Sequence, residues 1–239
     1  MRVWDVNPGY LNRQSLLGEH REMHALVSII ENEKRGFAHH PETLRWRRHL
    51  GALKLRHDLV VEEMALRGYR HHSPVGGSGS GLWPETFVDT PGAQFAILSR
   101  KYEQREPGRI PLPRTVQQLW AQHRYSILAR DTALVQEVEQ WLTEAERVPT
   151  LEQLAAQLVP VLRRRPSQGQ LWQALQHMWS EIGRAGLAPA SSASHPGTLL
   201  ETIRQVAVRH QVVPLLESTA LSDLAVWVTR PLQEWEGIG

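Results

Sequence analysis

Apolar residues recur every three or four positions along nearly all of the chain, and alternating strand-like stretches are almost absent, so the pattern predicts helices throughout. Over residues 12–33, Leu16, His20, Met23, Val27 and Ile30 share one stripe, while Gly18, Glu22 and Ala25 share another that is small apart from its carboxylate. A basic loop, Lys34-Arg35-Gly36-Phe37, follows. Pro41 then opens a second helix at a position where a missing amide proton costs nothing. This helix is expected to run to about Leu66, with Trp46, Leu50, Leu53, His57, Val60, Val61 and Met64 facing the core, and Gly68 ends it.

Residues 73–84, rich in Gly, Ser and Pro, read as a flexible loop. A shorter helix is expected at 91–104. After a second breaker-rich stretch, 106–113, amphipathic helices are expected at 114–129, 132–146, 150–164, 168–184 and 197–211, with a last one near 219–229. No repeat of fixed period is visible. The expected fold is all-α: a compact N-terminal helical domain over 1–108 followed by a second helical domain over 109–239.

The 239 residues contain no cysteine, which excludes disulfides, thiolate metal sites and a cysteine nucleophile and suits a reducing compartment. The first residues carry no long apolar stretch and no run approaches membrane-spanning length, so a cytoplasmic protein with no membrane association is expected. The net charge of +2 is unevenly placed, at +6 over residues 1–130 and −4 over 131–239, and eight of the twelve histidines precede residue 75. The front half therefore carries the positive field that a polyanion would feel.

Candidate chemistry concentrates in the front half. Arg21 and Glu22 are neighbours in the middle of the first helix, and Glu19 and Glu22, three apart, face one way and border the apolar stripe. The pair reads either as a solvated surface feature or as an acid or electrostatic stabiliser with a cationic neighbour. His20 and His24 have the i, i+4 spacing of a helical metal pair, but Arg21 stands where the zinc-protease motif needs glutamate, and the sequence offers no evident third ligand. They read better as partly buried or phosphate-facing side chains, so no metal or cofactor is expected. Arg45, Arg47 and Arg48 surround Trp46, an arrangement suited to gripping phosphates around a packed ring, or to a charged outer face. In the rear half Arg163-Arg164-Arg165 sits at a helix end, and Trp172, His177 and Trp179 are spaced as core residues.

Several segments together resemble the pyrimidine-dimer DNA glycosylases related to phage endonuclease V. They are Met1-Arg2-Val3-Trp4-Asp5, Leu17 to Glu22, His40-Pro41-Glu42-Thr43, Leu55-Arg56-His57, Val61 to Tyr69, and Val88 to Arg100, covering roughly the first 105 residues in order. The resemblance implies a cofactor-free helical enzyme that flips a nucleotide from damaged double-stranded DNA. A terminal α-amine attacks C1′, a glutamate supports departure of the base, and the resulting imine permits β-elimination of the strand. Carried over, the glutamate is Glu22 and its arginine neighbour Arg21. Arg2 matches the arginine after the nucleophilic residue, which makes Met1 the nucleophile, and the bulk of Arg2 would block removal of Met1. Arg100 matches a late basic residue, and His20, Arg45, Arg48 and Arg56 complete the expected DNA contacts. Three phage features differ: Ala25 replaces a phosphate-binding arginine, Ser15 falls where a histidine precedes the first helix, and the aromatic-rich tail has only a loose counterpart around Trp120, His123 and Tyr125. An α-amine titrates near ~8, so an appreciable fraction is neutral and nucleophilic near neutral pH.

From about Arg109 the chain resembles, more weakly, the YbgA-like helical domain of unknown function, through Pro113-Arg114-Thr115, Leu119 to His123, Arg165-Pro166 and Leu175 to Met178. The expected function is a DNA glycosylase with abasic-site lyase activity. The alternatives are a non-catalytic helical DNA-binding or adaptor protein, a glycosylase for another damaged base, and a rear domain that handles RNA or a modified nucleotide.

Overall fold

The computed structural model describes residues 1–76, 81–144, 148–187 and 195–229, and among these there is no strand. An extended N-terminal segment and a 3-10 turn at Pro8–Tyr10 lead into α1 (Arg13–Glu31), α2 (Pro41–Trp46) and α3 (Leu50–Leu66). Then come α4 (Pro91–Lys101), α5 (Val116–Leu128), α6 (Thr132–Thr143), α7 (Leu151–Leu162), α8 (Gln168–Arg184) and α9 (Pro196–His210). Three short helices end the described residues: α10 (Val213–Leu216), α11 (Ala220–Asp223) and α12 (Ala225–Thr229). Part of the expected loop, residues 77–80, and the end of the helix expected at 132–146 lie outside the described residues.

Local chemistry fixes the helix ends. Asn12, Thr90, Thr115, Asp131, Thr150 and Ser167 each accept an amide proton from the first turn of their helix, and Pro41, Pro91 and Pro196 occupy first-turn positions. At the end of α3 the chain turns through Gly68, whose φ is +80°, with Gly68 N–H donating to Ala65 and Tyr69 N–H to Met64. This is the pair of bonds that caps a helix through a left-handed residue.

The helix expected from Pro41 to Leu66 is broken. Trp46 ends α2 and Leu50 begins α3, and between them His49 N–H bonds back to the Trp46 carbonyl at 2.9 Å. The His49 backbone is non-helical, and its Nδ1 lies 2.7 Å from the Leu82 carbonyl. The apolar period runs through the break without a Pro or Gly, so nothing local announces it; a long-range contact to the 82 carbonyl stands in its place.

Residues before and after position 108 share one buried core, which joins Leu16, Met23, Leu53 and Leu98 to Leu119, Ile127, Leu154, Leu175, Ile203 and Leu221. The passage at 108–110 is itself tightly packed. Ile110 N–H donates to the Gly9 carbonyl at 2.9 Å, and a Cβ on Gly108 would come within 2.5 Å of the Tyr10 backbone. Only a residue without a side chain allows that approach. Helix α3 is central: it packs on α1, α11, α12 and the Pro8–Tyr10 turn, while α4 lies on α7.

This central position explains the buried charge of Glu63. Its carboxylate accepts from Arg67 at 2.7 Å and from Arg109 at 2.6 and 2.9 Å, and Arg109 also donates to the Leu216 and Ser218 carbonyls. Burial alone would raise the Glu63 carboxyl, but the guanidiniums of Arg109 and Arg67 more than offset this and hold it at about 2. Because the folded value lies below the unfolded value of ~4.3, the charged group stabilises the fold above that pH. The contribution is lost as pH falls through the window towards 2. Replacing Glu63 by Gln should therefore cost ~3–5 kcal/mol at neutral pH and flatten the acid dependence within that window. Urea unfolding at neutral and acidic pH measures both effects; an unchanged acid slope would refute the assignment.

Candidate active site

An extended chain outside a sheet has backbone amides with no built-in partner, and in the interior each must find one. Residues 2–6 meet this requirement with side chains from three helices. Arg2 N–H donates to Glu22 Oε2 at 2.6 Å, Val3 N–H to Glu42 Oε1 at 3.1 Å, and Trp4 N–H to Glu19 Oε1 at 2.9 Å. Asp5 and Val6 N–H both donate to Gln94 Oε1, at 2.8 and 3.4 Å. Val3, Trp4 and Val6 are buried among core residues, so apolar side chains and polar backbone are satisfied together.

Those carboxylates need counter-charges of their own. Arg56 grips Glu19 with two bonds, 2.8 and 2.9 Å, and its third nitrogen donates to the Val6 carbonyl at 2.9 Å. Burial pushes the Glu19 carboxyl up, against the pull of Arg56 and the Trp4 amide. Glu42 is likewise pushed up by burial, against the Val3 amide and Arg45. It also accepts from Trp46 Nε1 at 3.1 Å. Asp5 Oδ1 takes Arg45 at 2.6 Å and Arg163 at 2.5 Å, and its Oδ2 takes Gln94 Nε2 at 2.9 Å. Arg45 also donates to the Thr86 carbonyl at 2.7 Å, and Arg163 to that of Pro84 at 3.0 Å.

The expected site residues separate into three groups. Met1, Arg2 and Glu22 come together: Met1 packs partly buried against the core, and its amine stands three covalent bonds from the Arg2 nitrogen that Glu22 holds. Arg2 pairs with Asp89 at 2.7 Å and lies 4.8 Å over the Trp4 ring, and it remains about one-third exposed. Arg21, Arg48 and Arg100 are exposed, as phosphate contacts must be. Arg45 and Arg56 are buried, with 4% and 3% of their side chains accessible, and are consumed by internal carboxylates and carbonyls. The expectation that they grip phosphates is corrected on that ground: their charge is neutralised inside the fold.

His20 is also buried rather than facing outward. It meets His24 and His71 edge-on at ring-centroid distances of 4.7 and 5.0 Å, and the tilted ring of His57 at 4.9 Å. Burial, followed by the neighbouring imidazoles, lowers its pKa to about 4, and the same causes lower His24 and His71, where a Ser73 backbone hydrogen bond opposes them. The third and fourth imidazoles were missed from the sequence. His57 was legible as a member of the apolar stripe of its helix, but His71 lies beyond the Gly68 cap, where no period applies. Gln94, Asp89 and Arg163 were missed for a different reason: sequence distance hides their approach to residues 2–6.

Residues 1–76 match the family described as pyrimidine dimer DNA glycosylase. The matched span includes Glu19, Glu22, Glu42, Arg45, Arg56 and the four clustered histidines, whereas Gln94 and Arg163 lie beyond it. No curated protein and no solved structure matches the chain.

The two classes of arginine should separate experimentally. Arg56→Ala strands a buried carboxylate and should cost ~3–5 kcal/mol, whereas Arg48→Ala should stay within ~0.5 kcal/mol. Denaturant unfolding of the two variants decides; equal, small losses would mean that the Arg56–Glu19 pair does not anchor the N-terminal segment.

Proposed function

We propose that the protein is a DNA glycosylase with abasic-site lyase activity on pyrimidine dimers, with the Met1 α-amine as nucleophile and Glu22 as the carboxylate that serves it. The observation that carries this reading is the 2.6 Å bond from the Arg2 amide to Glu22, which seats the start of the chain against a mid-helix glutamate. The half-buried carboxylate that satisfies this amide is also the kind of group an amine nucleophile needs beside it.

The chemistry is the one that the family resemblance implies, with these residues in its roles. With the damaged nucleotide flipped out of the stack, the neutral amine donates its lone pair to C1′ as the bond from C1′ to the base breaks, and the base leaves with the electron pair. The Glu22 carboxylate stabilises the positive charge that develops on the sugar, as carboxylates do in glycoside cleavage. Loss of a proton from the amine and opening of the sugar ring give an imine. Removal of a C2′ proton then expels the 3′ phosphate, and water hydrolyses the imine to regenerate the amine. Arg2, Arg21, Arg48 and Arg100 would hold the duplex by its phosphates. The family match over residues 1–76 supports the substrate class.

Glu22→Gln keeps a hydrogen-bond acceptor for the Arg2 amide but removes the charge. It should retain DNA binding while losing base excision by at least ~100-fold. Borohydride trapping on abasic DNA should join the wild-type chain covalently through Met1, and a few residues added before Met1 should abolish trapping, because catalysis tolerates about 1 Å of misplacement. A mass-spectrometric adduct on a lysine, or a mature chain starting at Arg2, would refute the assignment. Trapping of nothing would favour a DNA-binding adaptor on the same scaffold.

Phosphate contacts have a separate signature. Arg48→Ala or Arg100→Ala should weaken binding to all sequences alike and lower the salt slope by about one. An unchanged slope removes that residue from the interface.

A further inference from the structure

Four imidazoles from three separate segments converge in the interior of residues 1–76. His20 and His24 stand one turn apart on α1, His57 comes from α3, and His71 comes from the segment after the Gly68 cap. Each offers one ring nitrogen, and these four nitrogens all lie within 4.8 Å of one another. His20 Nε2 and His57 Nε2 are 3.2 Å apart. Tetrahedral zinc with bonds of 2.0–2.1 Å to nitrogen places its donors about 3.4 Å apart, so this pair already stands at that spacing. The widest separation closes to it with a shift of about 0.7 Å from each ring, within reach of small side-chain rotations.

A second observation points the same way. His24 Nε2 and His71 Nε2 are buried without a hydrogen-bond partner. Buried polar atoms are nearly always satisfied, and two such atoms turned into one cluster are what a missing cation would leave. On the far side of the cluster, His57 Nδ1 lies 3.4 Å from Asp58 Oδ1, the arrangement by which a carboxylate orients a metal-bound imidazole.

We propose that His20, His24, His57 and His71 form a closed structural site for a borderline divalent transition-metal ion, with Zn²⁺ as the reference ion. An all-imidazole set excludes Mg²⁺ and Ca²⁺, which require oxygen donors. Four protein ligands leave no open position, so the site is a staple and not a second reaction centre. It joins α1, α3 and the 69–76 segment, and its ligands His20 and His57 directly follow Glu19 and Arg56 in sequence. The ion would thereby fix the α1–α3 register on which the seat of residues 2–6 depends. The inference is independent of the glycosylase reading.

The test uses the untagged full chain grown with zinc. Elemental analysis after gel filtration should find one zinc per chain. Stripping by a chelator should lower Tm by several degrees, and zinc should restore it. Cobalt loaded into the stripped protein should give the intense visible band of a tetrahedral centre. His71→Ala, which alters only a half-buried loop residue, and His24→Gln should each weaken zinc binding by at least ~100-fold in competition with a chromophoric chelator, and Asp58→Asn by ~10–100-fold. Glu22→Gln and the exposed-residue variant His72→Ala should keep the full metal content. A wild-type chain that holds no stoichiometric zinc, nickel or copper and keeps its Tm in chelator overturns the proposal. So does full metal retention in His71→Ala and His24→Gln, or metal loss in His72→Ala.

Discussion

The backbone amides of residues 2–6 must be satisfied away from any sheet, and much of the front half is arranged around that constraint. Three glutamates and a glutamine, from α1, α2 and α4, accept those protons. Charge-assisted bonds of this kind contribute more than neutral ones, roughly 1.5–3 kcal/mol each, but only if the carboxylates are themselves compensated. Arg56 and Arg45 supply that compensation for Glu19 and Glu42, so the order of dependence runs from amide to carboxylate to guanidinium. The half-buried Glu22 stands apart. It has Arg2 N–H as a partner without a buried guanidinium closing over it, which leaves it accessible to a charge developing nearby.

The same constraint binds the rear half into the site. Asp5 is shared between Arg45 of α2 and Arg163, the residue that follows α7, and Arg163 also lies 4.9 Å over the ring of Trp83. Two turns along α3 from Arg56, Arg109 ties Glu63 to the carbonyls of Leu216 and Ser218. Tyr10, which follows the N-terminal segment, donates to Gln122 at 2.8 Å and sits 3.0 Å from His123 of α5. Charges and hydrogen bonds that begin within the first eleven residues thus end beyond position 108, on a core that is continuous across it. Removing residues after 108 would take Arg163 from Asp5 and Arg109 from Glu63, leaving each buried carboxylate with a single guanidinium, Arg45 or Arg67, in place of two.

Helical periodicity carried the fold well because most helices here bury one face and cap themselves with local residues. Asn12, Thr90, Thr115 and Gly68 act within a few positions of where they stand, so sequence order exposes them. The break at Arg47–His49 was hidden because no Pro or Gly marks it and the contact His49 makes there, to the Leu82 carbonyl, comes from far along the chain. Arg45 and Arg56 were misread for a related reason. An arginine on a helix looks solvated from sequence alone, but the extended N-terminal segment covers the flank on which each of them stands. Glu19 gave a partial signal by bordering the stripe, and Glu22 was legible through its place in the Arg21-Glu22 pair. An extended, non-helical segment leaves no periodic trace, and the residues that receive it inherit that silence.

The seam between α1 and α3 is unusual for a helical core because its centre is polar. Glu19 and Arg56 face one another, and His20 and His57 meet at the next position on each helix. Apolar residues of similar volume would pack such a seam at least as stably, since desolvation offsets most of the attraction between buried charges. What a polar seam supplies is register. A two-point guanidinium–carboxylate bond and a contact between ring nitrogens tolerate far less sliding than interdigitated leucines do. A carboxylate on the next turn, Glu22, is then fixed relative to the peptide bond it holds. Where a reaction depends on placing an amine and a glutamate to within about an ångström, positional precision is worth more than a few kcal/mol of stability, and that is a physical reason for a helical core to keep its charges.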